Sequence, residues 1–417
     1  LDRDGDDVVV RQSVTGGGFG GKEEYPSMIA AHAAVVSKKA GAPVKLVYDR
    51  DEDIAATTKR HPSLVRHRLG LSKDGKVVAC DVDVIIDGGA YLTLSPVVLS
   101  RAVLHAAGPY KFDHVRVRGR AVATNHPPHG AFRGFGAPQT TWAYERQMDK
   151  AARALGLDAF EFRKNNMLRS GDRTATDQIL THSVGSEQVV ARVEEAAGPK
   201  PSAPESEQLR AGRGFCLYFH GAGFTGSGEA RLAGRATVAL VPGGRFEVRA
   251  SSTDIGQGAA TMFAQIASAG LGVGVGMVDT IEPATDHVPD SGPTVASRTC
   301  MVVGAVVDRA AQALRAEIEQ WAAANDVAGD IATMAAKMVE STGEVSETQQ
   351  YEPPPGIVWD DDTYTGSAYP VYGWAACLVD VTVDLDTYEV RVDRCIHAVD
   401  VGKAINPIIV KGQIEGG

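Results

Sequence analysis

A chain of 417 residues, 44% hydrophobic and 23% charged, holds enough material for two or three domains with large cores and is not disordered in composition. Its net charge of −10 comes from acids and bases mixed along the chain, with no basic stripe, which argues against a nucleic-acid partner. No apolar run approaches the length of a bilayer span and no basic-then-apolar leader opens the chain, so no membrane partner is expected.

In chain order, Val8–Val14 reads as a strand leading into a glycine-rich loop at 15–24. Ser27–Ala40 reads as a helix with Ile29, Ala33, Val36 and Ala40 on one face and Gly41 as its stop. Val44–Tyr48 reads as a strand. Leu64–Leu71 and Val77–Ile86 flank Ser72-Lys73-Asp74-Gly75, a hairpin turn, and Val115–Val122 is a further strand. Gln139–Leu155 is helical and ends at Gly156; a short helix follows at Asp158–Asn165. The stretch 198–209 combines three prolines with little apolar content and marks a linker between a first domain, 1–197, and a second, 210–417. Beyond it, Ala236–Val241 and Phe246–Ala250 flank Pro242-Gly243-Gly244, while Gly258–Ala269 and Met301–Ala323 read as helices. Val379–Leu385 and Tyr388–Ala398 form a last hairpin around Asp386-Thr387. The Glu and Lys clusters at 143–150 and 313–320 read as solvated helix faces. The pattern predicts an α+β fold of mixed, largely antiparallel twisted sheets with packed helices.

The five cysteines, Cys80, Cys216, Cys300, Cys377 and Cys395, are scattered with no C-x-x-C pair. They read as buried free thiols in a reducing, cytoplasmic setting, with spacing unsuited to an iron–sulfur cluster. The chain opens at Leu1 almost directly on an expected strand and closes shortly after the apolar run 408–410, so it reads as a fragment.

The loop at 16–21 has five glycines in six positions, a backbone free to take unusual φ and to let an anionic group approach. Gly16-x-Gly18-x-x-Gly21 fits the dinucleotide fingerprint, and Gly16-x4-Gly21-Lys22 fits most of the P-loop pattern. The P-loop reading fails at Glu23, where Ser or Thr must hold magnesium. The dinucleotide reading has a flanking strand, a helix and Asp49 as a ribose ligand, but Glu23 and Glu24 would repel a pyrophosphate. It leaves a nicotinamide-dependent Rossmann enzyme as one alternative, and a tight strand-to-helix turn with no ligand as another. Four further small-residue loops lie at 130–139, 253–258, 291–299 and 412–417, most of them at expected helix starts, and suggest one large anion gripped from many sides.

Five of these segments together carry a resemblance. Gly-Gly-Gly-Phe-Gly-Gly-Lys-Glu (16–23), Ala-Phe-Arg-Gly-Phe-Gly-Ala-Pro-Gln (131–139), Asp-Ile-Gly-Gln-Gly (254–258), Pro-Thr-Val-Ala-Ser (293–297) and Asp-Val-Gly-Lys-Ala-Ile-Asn-Pro (400–407) occur in order. The set resembles the molybdopterin-binding part of the xanthine dehydrogenase and aldehyde oxidase family, over essentially the whole chain. The resemblance implies two elongated halves with a cofactor cleft between them, each half here lacking its outer part. It places Phe19, Arg133 and Ala296 beside molybdenum through backbone groups. It assigns Gly20, Phe132, Gly256, Gln257, Gly258, Ser297 and Gln413 to the pterin and its phosphate tail, with the cytosine dinucleotide form of the cofactor left open.

The same resemblance assigns Glu23 and Arg101 to the two ends of a purine-like substrate, Phe135 and Phe224 to its flat faces, and Thr225 to a position beside the second. A flat heterocycle fits stacking faces with a charged hydrogen-bond partner at each end. The loop 132–135 lacks the cysteine of the carbon monoxide dehydrogenase branch. The implied reaction is hydroxylation with water as oxygen source, electrons leaving through iron–sulfur and FAD centres on partner subunits. Aldehydes or other N-heterocycles remain as alternative substrates, and a homodimer of the assembled enzyme as one arrangement. The family's catalytic glutamate is expected beyond Gly417, and a molybdenum-contacting glutamine before Leu1. The fragment is therefore expected to be inactive alone and to lack the cofactor, with a degenerate, non-catalytic domain as a further alternative. His126 and His129, separated by two prolines, read as a polar loop and not a zinc pair, and His220 as a hydrogen-bonded wall residue near the pocket.

Overall fold

The turn Ser72-Lys73-Asp74-Gly75 reverses the chain as its residues suggest: Gly75 takes φ 83°, and Ser72 N–H donates to Lys76 O at 3.0 Å. In the computed structural model, which describes residues 5–202 and 206–417, the strands on either side run Ser63–Leu71 and Val77–Gly89 and pair antiparallel from Ser63↔Ile86 to Leu71↔Val77. Alternate residues of the second strand point inward, so Val82, Val84 and Ile86 are fully buried. A third strand, His114–Ala123, lies parallel to the second. Parallel neighbours need a crossover, and the helix Ser95–Leu104 lies on that crossover, packing Val98 and Ala102 onto the buried face.

A second sheet orders the strands Val390–Asp400, Tyr372–Asp384 and Leu209–Gly221, all antiparallel. Its inner face, with Leu217, Phe219, Trp374 and Leu378, packs on Tyr144, Met148, Phe162, Val190 and Val193. These last come from the helices Ala137–Leu155, Ala159–Asn166 and Ser186–Ala197. Both sheets belong to one compact unit, Phe19–Gly221 with Val358–Gly402.

The other unit joins Leu1–Gly18, Ala222–Ile357 and Lys403–Gly417. Its four strands are ordered Val278–Thr280, Arg245–Arg249, Arg235–Val241, Val345–Gln350. The helices Ala259–Leu271, Gly304–Ala324 and Ile331–Thr342 cover this sheet around Val238, Leu240, Phe246, Phe263, Val307 and Leu314. Sheets are thus mixed and largely antiparallel, with helices packed on them.

The compact units do not follow the division expected at 198–209. Leu209–Gly221 pairs along its whole length with Tyr372–Asp384, and this long-range ladder carries residues 358–402 into the earlier unit. Residues 203–205 of the expected linker, and 1–4 of the expected first domain, lie outside the described residues.

Several local expectations change. Val8–Val14 forms no strand: it makes a single bridge, Arg11↔Ala284, beside which Thr285 N–H donates to Val10 O, Gln12 N–H to Pro283 O and Val10 N–H to Thr285 Oγ1. Val44–Tyr48 forms no regular element and pairs with no strand among the described residues, and Val47 stands exposed. β-Branched residues favour a strand only where a neighbouring strand packs beside them. Glu145, expected on a solvated helix face, is buried and paired with Arg163 at 2.8 Å. Of the thiols expected to be buried, Cys300 and Cys395 are exposed, and the sheet brings Cys395 Sγ to 3.8 Å from Cys377 Sγ.

Candidate functional site

Within the Phe19–Gly221 unit, the first glycine loop and the 130–139 loop lie back to back. Arg133 N–H donates to Phe19 O at 2.8 Å. Gly20 takes φ 102°, and a Cβ there would stand 2.5 Å from Phe132 Cα, so only glycine allows this approach. Phe19 itself holds φ 53°, a left-handed conformation rare for an aromatic residue. Arg60 braces the second loop from behind, donating to Arg133 O at 2.8 Å with its guanidinium 4.3 Å from the centre of the Phe132 ring. Four of the expected cofactor residues, Phe19, Gly20, Phe132 and Arg133, are therefore joined through their backbones.

The second loop then turns through three consecutive positive-φ residues, Gly134, Phe135 and Gly136, into the helix Ala137–Leu155, with Pro138 in its first turn. A Cβ at Gly136 would meet Val98 O at 2.3 Å, so the loop lies directly on the helix Ser95–Leu104. That helix carries Arg101, which is 3% exposed. Arg101 donates to Gly221 O at 3.0 Å, lies 3.4 Å from His220 Nδ1, and sits 5.0 Å from the centre of the Tyr369 ring. His220 Nε2 in turn lies 3.4 Å from Gly134 O, linking Arg101 to the loop that carries Phe135. Burial, then the Arg101 charge, push the His220 imidazole down to about 4, so it is neutral near pH 7. His220 is hydrogen-bonded, as expected of it; the helix under Arg101 carries no strong signal in the sequence.

Glu23 keeps accessible surface, yet the crowding of the loop and then the Glu24 charge push its carboxyl up to about 7. Glu24 beside it is half-buried, and burial pushes its carboxyl up, an effect that the nearby Thr93, Leu94 N–H and Thr58 oppose. A Cβ at Gly130 would meet Glu24 Oε2 at 2.4 Å, so this carboxylate also touches the second loop. Nothing in the sequence pattern singles out this role for Glu24. Behind it, His61 Nε2 lies 2.8 Å from Ser95 Oγ, and Asp87 is bonded by Thr124 and His126. His126 and His129 thus lie in a polar loop around Asp87. Among the described residues no group of three or more His, Cys, Asp or Glu could hold a metal ion.

In the other unit three loops are joined. Thr253 N–H donates to Thr294 Oγ1 at 2.8 Å, and Gly223 N–H to Ala296 O at 2.8 Å. Phe224 and Thr225 thereby sit on the same loop cluster as Ala296 and Ser297, which take φ 55° and 56° in succession. Gly256 and Gly258 also have positive φ and lead into the helix Ala259–Leu271. Asp254 takes the N–H groups of Gly256 and Ala260 at 2.9 and 3.1 Å. Gln257 is held within its own loop, accepting from Ile255 N–H at 2.6 Å and donating to Thr253 O at 2.8 Å. The 291–299 loop opens not on a regular helix but on a π-turn, Thr299–Val303, ahead of Gly304–Ala324, a feature frequent near functional sites. The segment 412–417, read as a loop, is mostly helix: Gln413 lies in Pro407–Glu415, whose Ile409 packs where a Cβ on Gly258 would fall.

Asp49, the ribose ligand of the dinucleotide reading, is spent as a helix cap. Its carboxylate accepts from Glu52 N–H at 2.8 Å, and Glu52 accepts in return from Asp49 N–H at 2.9 Å. With no strand at 8–14 or 44–48 there is no βαβ unit around the first loop, and the Rossmann alternative falls.

Residues 1–167 match one profile of the molybdopterin cofactor-binding domain, and residues 188–417 match a second. The chain belongs to the molybdopterin cofactor-binding domain family. Among its relatives is a probable xanthine dehydrogenase subunit from Bacillus subtilis, 31% identical, aligned over 98% of this chain and 56% of the relative. The xanthine dehydrogenase/oxidase of Mus musculus is also 31% identical, over 98% of this chain and 31% of its own length. The crystal structure of the aldehyde oxidoreductase from Desulfovibrio desulfuricans superposes with a TM-score of 0.86 at 26% identity, covering 100% of this chain and 45% of that one. The molybdopterin-binding chain therefore spans about half the length, or less, of these relatives.

The residues present fit such a cofactor at the level of backbone. The Gly20–Phe132 contact leaves no space for a side chain, and Phe19, Phe135, Ala296 and Ser297 hold left-handed φ, a strained conformation that clusters at ligand-binding loops. Among the described residues no helix is long and apolar enough to cross a membrane.

Proposed function

We propose that this chain is the molybdenum-binding part of a hydroxylase that oxidises a flat, purine-like heterocycle of the xanthine or hypoxanthine type, with water as the oxygen source. The observation that carries the substrate class is Arg101: an arginine 3% exposed, held by Gly221 O and tied through His220 to the Phe135 loop. A buried guanidinium beside an aromatic loop suits a planar substrate with carbonyl or ring-nitrogen acceptors.

When bound, the molybdenum cofactor supplies the two-electron oxidation and the activated oxygen. In this reading Phe19, Arg133 and Ala296 face the metal through their backbones. Gly20, Phe132, Gly256, Gln257, Gly258, Ser297 and Gln413 hold the pterin and its phosphate tail. Gln257 and Asp254 stiffen the loop before Ala259–Leu271, and Gln413 acts from a helix.

Arg101 donates to one end of the substrate. Glu23, with its carboxyl near 7, is present in both protonation states around neutrality and so can accept from a ring N–H or donate to a ring nitrogen at the other end. Phe135 and Phe224 are the stacking faces, with Thr225 beside the second. Iron–sulfur and FAD subunits complete the electron path; that the Bacillus relative is one subunit of a larger enzyme supports such an assembly. Whether the pterin carries a cytosine nucleotide is read directly by mass spectrometry of the released cofactor.

The test is steady-state kinetics of the assembled enzyme on xanthine, hypoxanthine and a set of aldehydes. Purine turnover that Glu23→Gln cripples, with aldehydes poor substrates, is the expected result. Unaltered purine kinetics in Glu23→Gln, or preference for aldehydes, overturns the purine assignment. No turnover and no molybdenum in the complete assembly would favour a non-catalytic domain.

A further inference from the structure

The loops bearing Phe224–Thr225 and Ala296–Ser297 enclose an ion pair that no loop motif announced. Arg298 Nε lies 3.1 and 2.9 Å from the two carboxylate oxygens of Glu229, and the side chains are 0% and 4% exposed. The pair also bonds the backbone of these two loops. Glu229 Oε1 accepts from Phe224 N–H at 2.9 Å. Arg298 Nη1 donates to Ser291 O at 2.6 Å and to Pro293 O at 3.2 Å. Glycines make the room: a Cβ on Gly292 would lie 3.0 Å from Arg298 Nη1, and one on Gly234 would lie 2.6 Å from Ser291 O.

A fully buried ion pair is a poor device for stability alone, because desolvation offsets most of its attraction and well-packed apolar residues often serve as well. This pair sits instead beside strained backbone. Ala296 and Ser297 both take left-handed φ, and Gly223 N–H bonds Ala296 O, so the two loops share one conformation. Such strain persists only where the surroundings over-determine it. Glu229, in the first turn of the short helix Gly228–Leu232 that follows one loop, supplies the fixed acceptor, and Arg298 supplies the fixed donors on the other loop.

We propose that Glu229 and Arg298 are positioning residues for the cofactor: the pair locks the 222–228 and 291–298 loops into the geometry that retains molybdopterin. This rests on the reading that those loops hold the cofactor. The pair acts through the backbone of Phe224, Ser291 and Pro293 and not by touching substrate.

The experiment compares wild-type, Glu229→Gln and Arg298→Lys forms of the assembled enzyme, with Leu314→Ala, a core truncation on the helix Gly304–Ala324, as a control for destabilisation. Two quantities are read: amide hydrogen exchange of 222–228 and 291–298, and molybdenum and pterin per chain. In Glu229→Gln the two loops should exchange about tenfold faster and cofactor content should fall at least threefold, while Leu314→Ala keeps its cofactor. Arg298→Lys preserves the charge but loses the fork to Ser291 O and Pro293 O, and should show the same pattern more weakly. It decides the matter if Glu229→Gln does not fold. Loops as protected as wild type, or loosened loops with full cofactor content, overturn the proposal. So does equal cofactor loss in Leu314→Ala. Failure of the underlying reading looks different: the wild-type assembly itself then carries no molybdenum or pterin, whatever the loops of the variants do.

Discussion

Phe19 O accepts a hydrogen bond from Arg133 N–H at 2.8 Å, so two loops more than a hundred residues apart in sequence are held as one surface. Beside this bond the contact between Gly20 and Phe132 tolerates no side chain on Gly20.

Gly20→Ala is therefore expected to force the loops apart. A new Cβ 2.5 Å from Phe132 Cα, at φ 102°, cannot be relieved by a rotamer change. A strained position of this kind costs about 1–3 kcal/mol, and the clash adds to it. Thermal denaturation should show a lowered Tm, and the assembled enzyme should carry less molybdenum; a variant with wild-type Tm and full metal content would show that the loops do not need this contact.

The ion-pair cluster between the helices Ala137–Leu155 and Ala159–Asn166 makes a second prediction. Arg163 donates to Glu145 at 2.8 Å and to Asp149 at 2.8 Å, and is wholly buried. Arg163→Met leaves Glu145 buried without its counter-charge, a change that typically costs about 3–5 kcal/mol. Denaturant unfolding should reveal a loss of that order, whereas Arg245→Met, removing a solvent-screened pair with Asp279, should leave stability nearly unchanged.

Glu23 predicts a pH dependence with a defined sign. Its folded carboxyl, near 7, lies above the ordinary value of 4.5, so between these two values the native state binds more protons than the unfolded state. Stability contributed at Glu23 is thus present below about 4.5 and is lost as pH rises through about 7. Stability measured from pH 4.5 to 7.5 should fall more steeply in the wild type than in Glu23→Gln; parallel curves would show that the carboxyl is not perturbed.

Asp49 and Glu52 close a reciprocal capping box on the helix Arg50–Ala56. Asp49→Ala should cost about 1 kcal/mol in denaturant unfolding. It should leave substrate kinetics unchanged, and isothermal titration with NAD should show no binding to either form.

The hairpins at Ser72–Gly75, Pro242–Gly244 and Asp386–Thr387 are legible in the sequence because turn residues act locally. So are the ends of the helices Tyr25–Ala40 and Ala137–Leu155, closed by the left-handed Gly41 and Gly156. The strands expected at 8–14 and 44–48 do not form, for the opposite reason: apolar β-branched residues announce a capacity to pair, and the pairing needs a neighbour that no local window contains. Arg101 can be named by its motif, but not its burial, which comes from Gly221 at the far end of another strand.

The amino-acid sequence by itself determined the order of the glycine loops, the positions of those at 130–139 and 253–258 ahead of helices, and the family to which they belong, because backbone freedom and helix capping depend on a few adjacent residues. Only the tertiary structure decided that Leu209–Gly221 and Tyr372–Asp384 share a sheet, that the two compact units interleave along the chain, and that Glu229 meets Arg298 across 69 residues. Those relationships rest on long-range strand pairing and on the burial of charge, and neither leaves a periodic mark in the sequence.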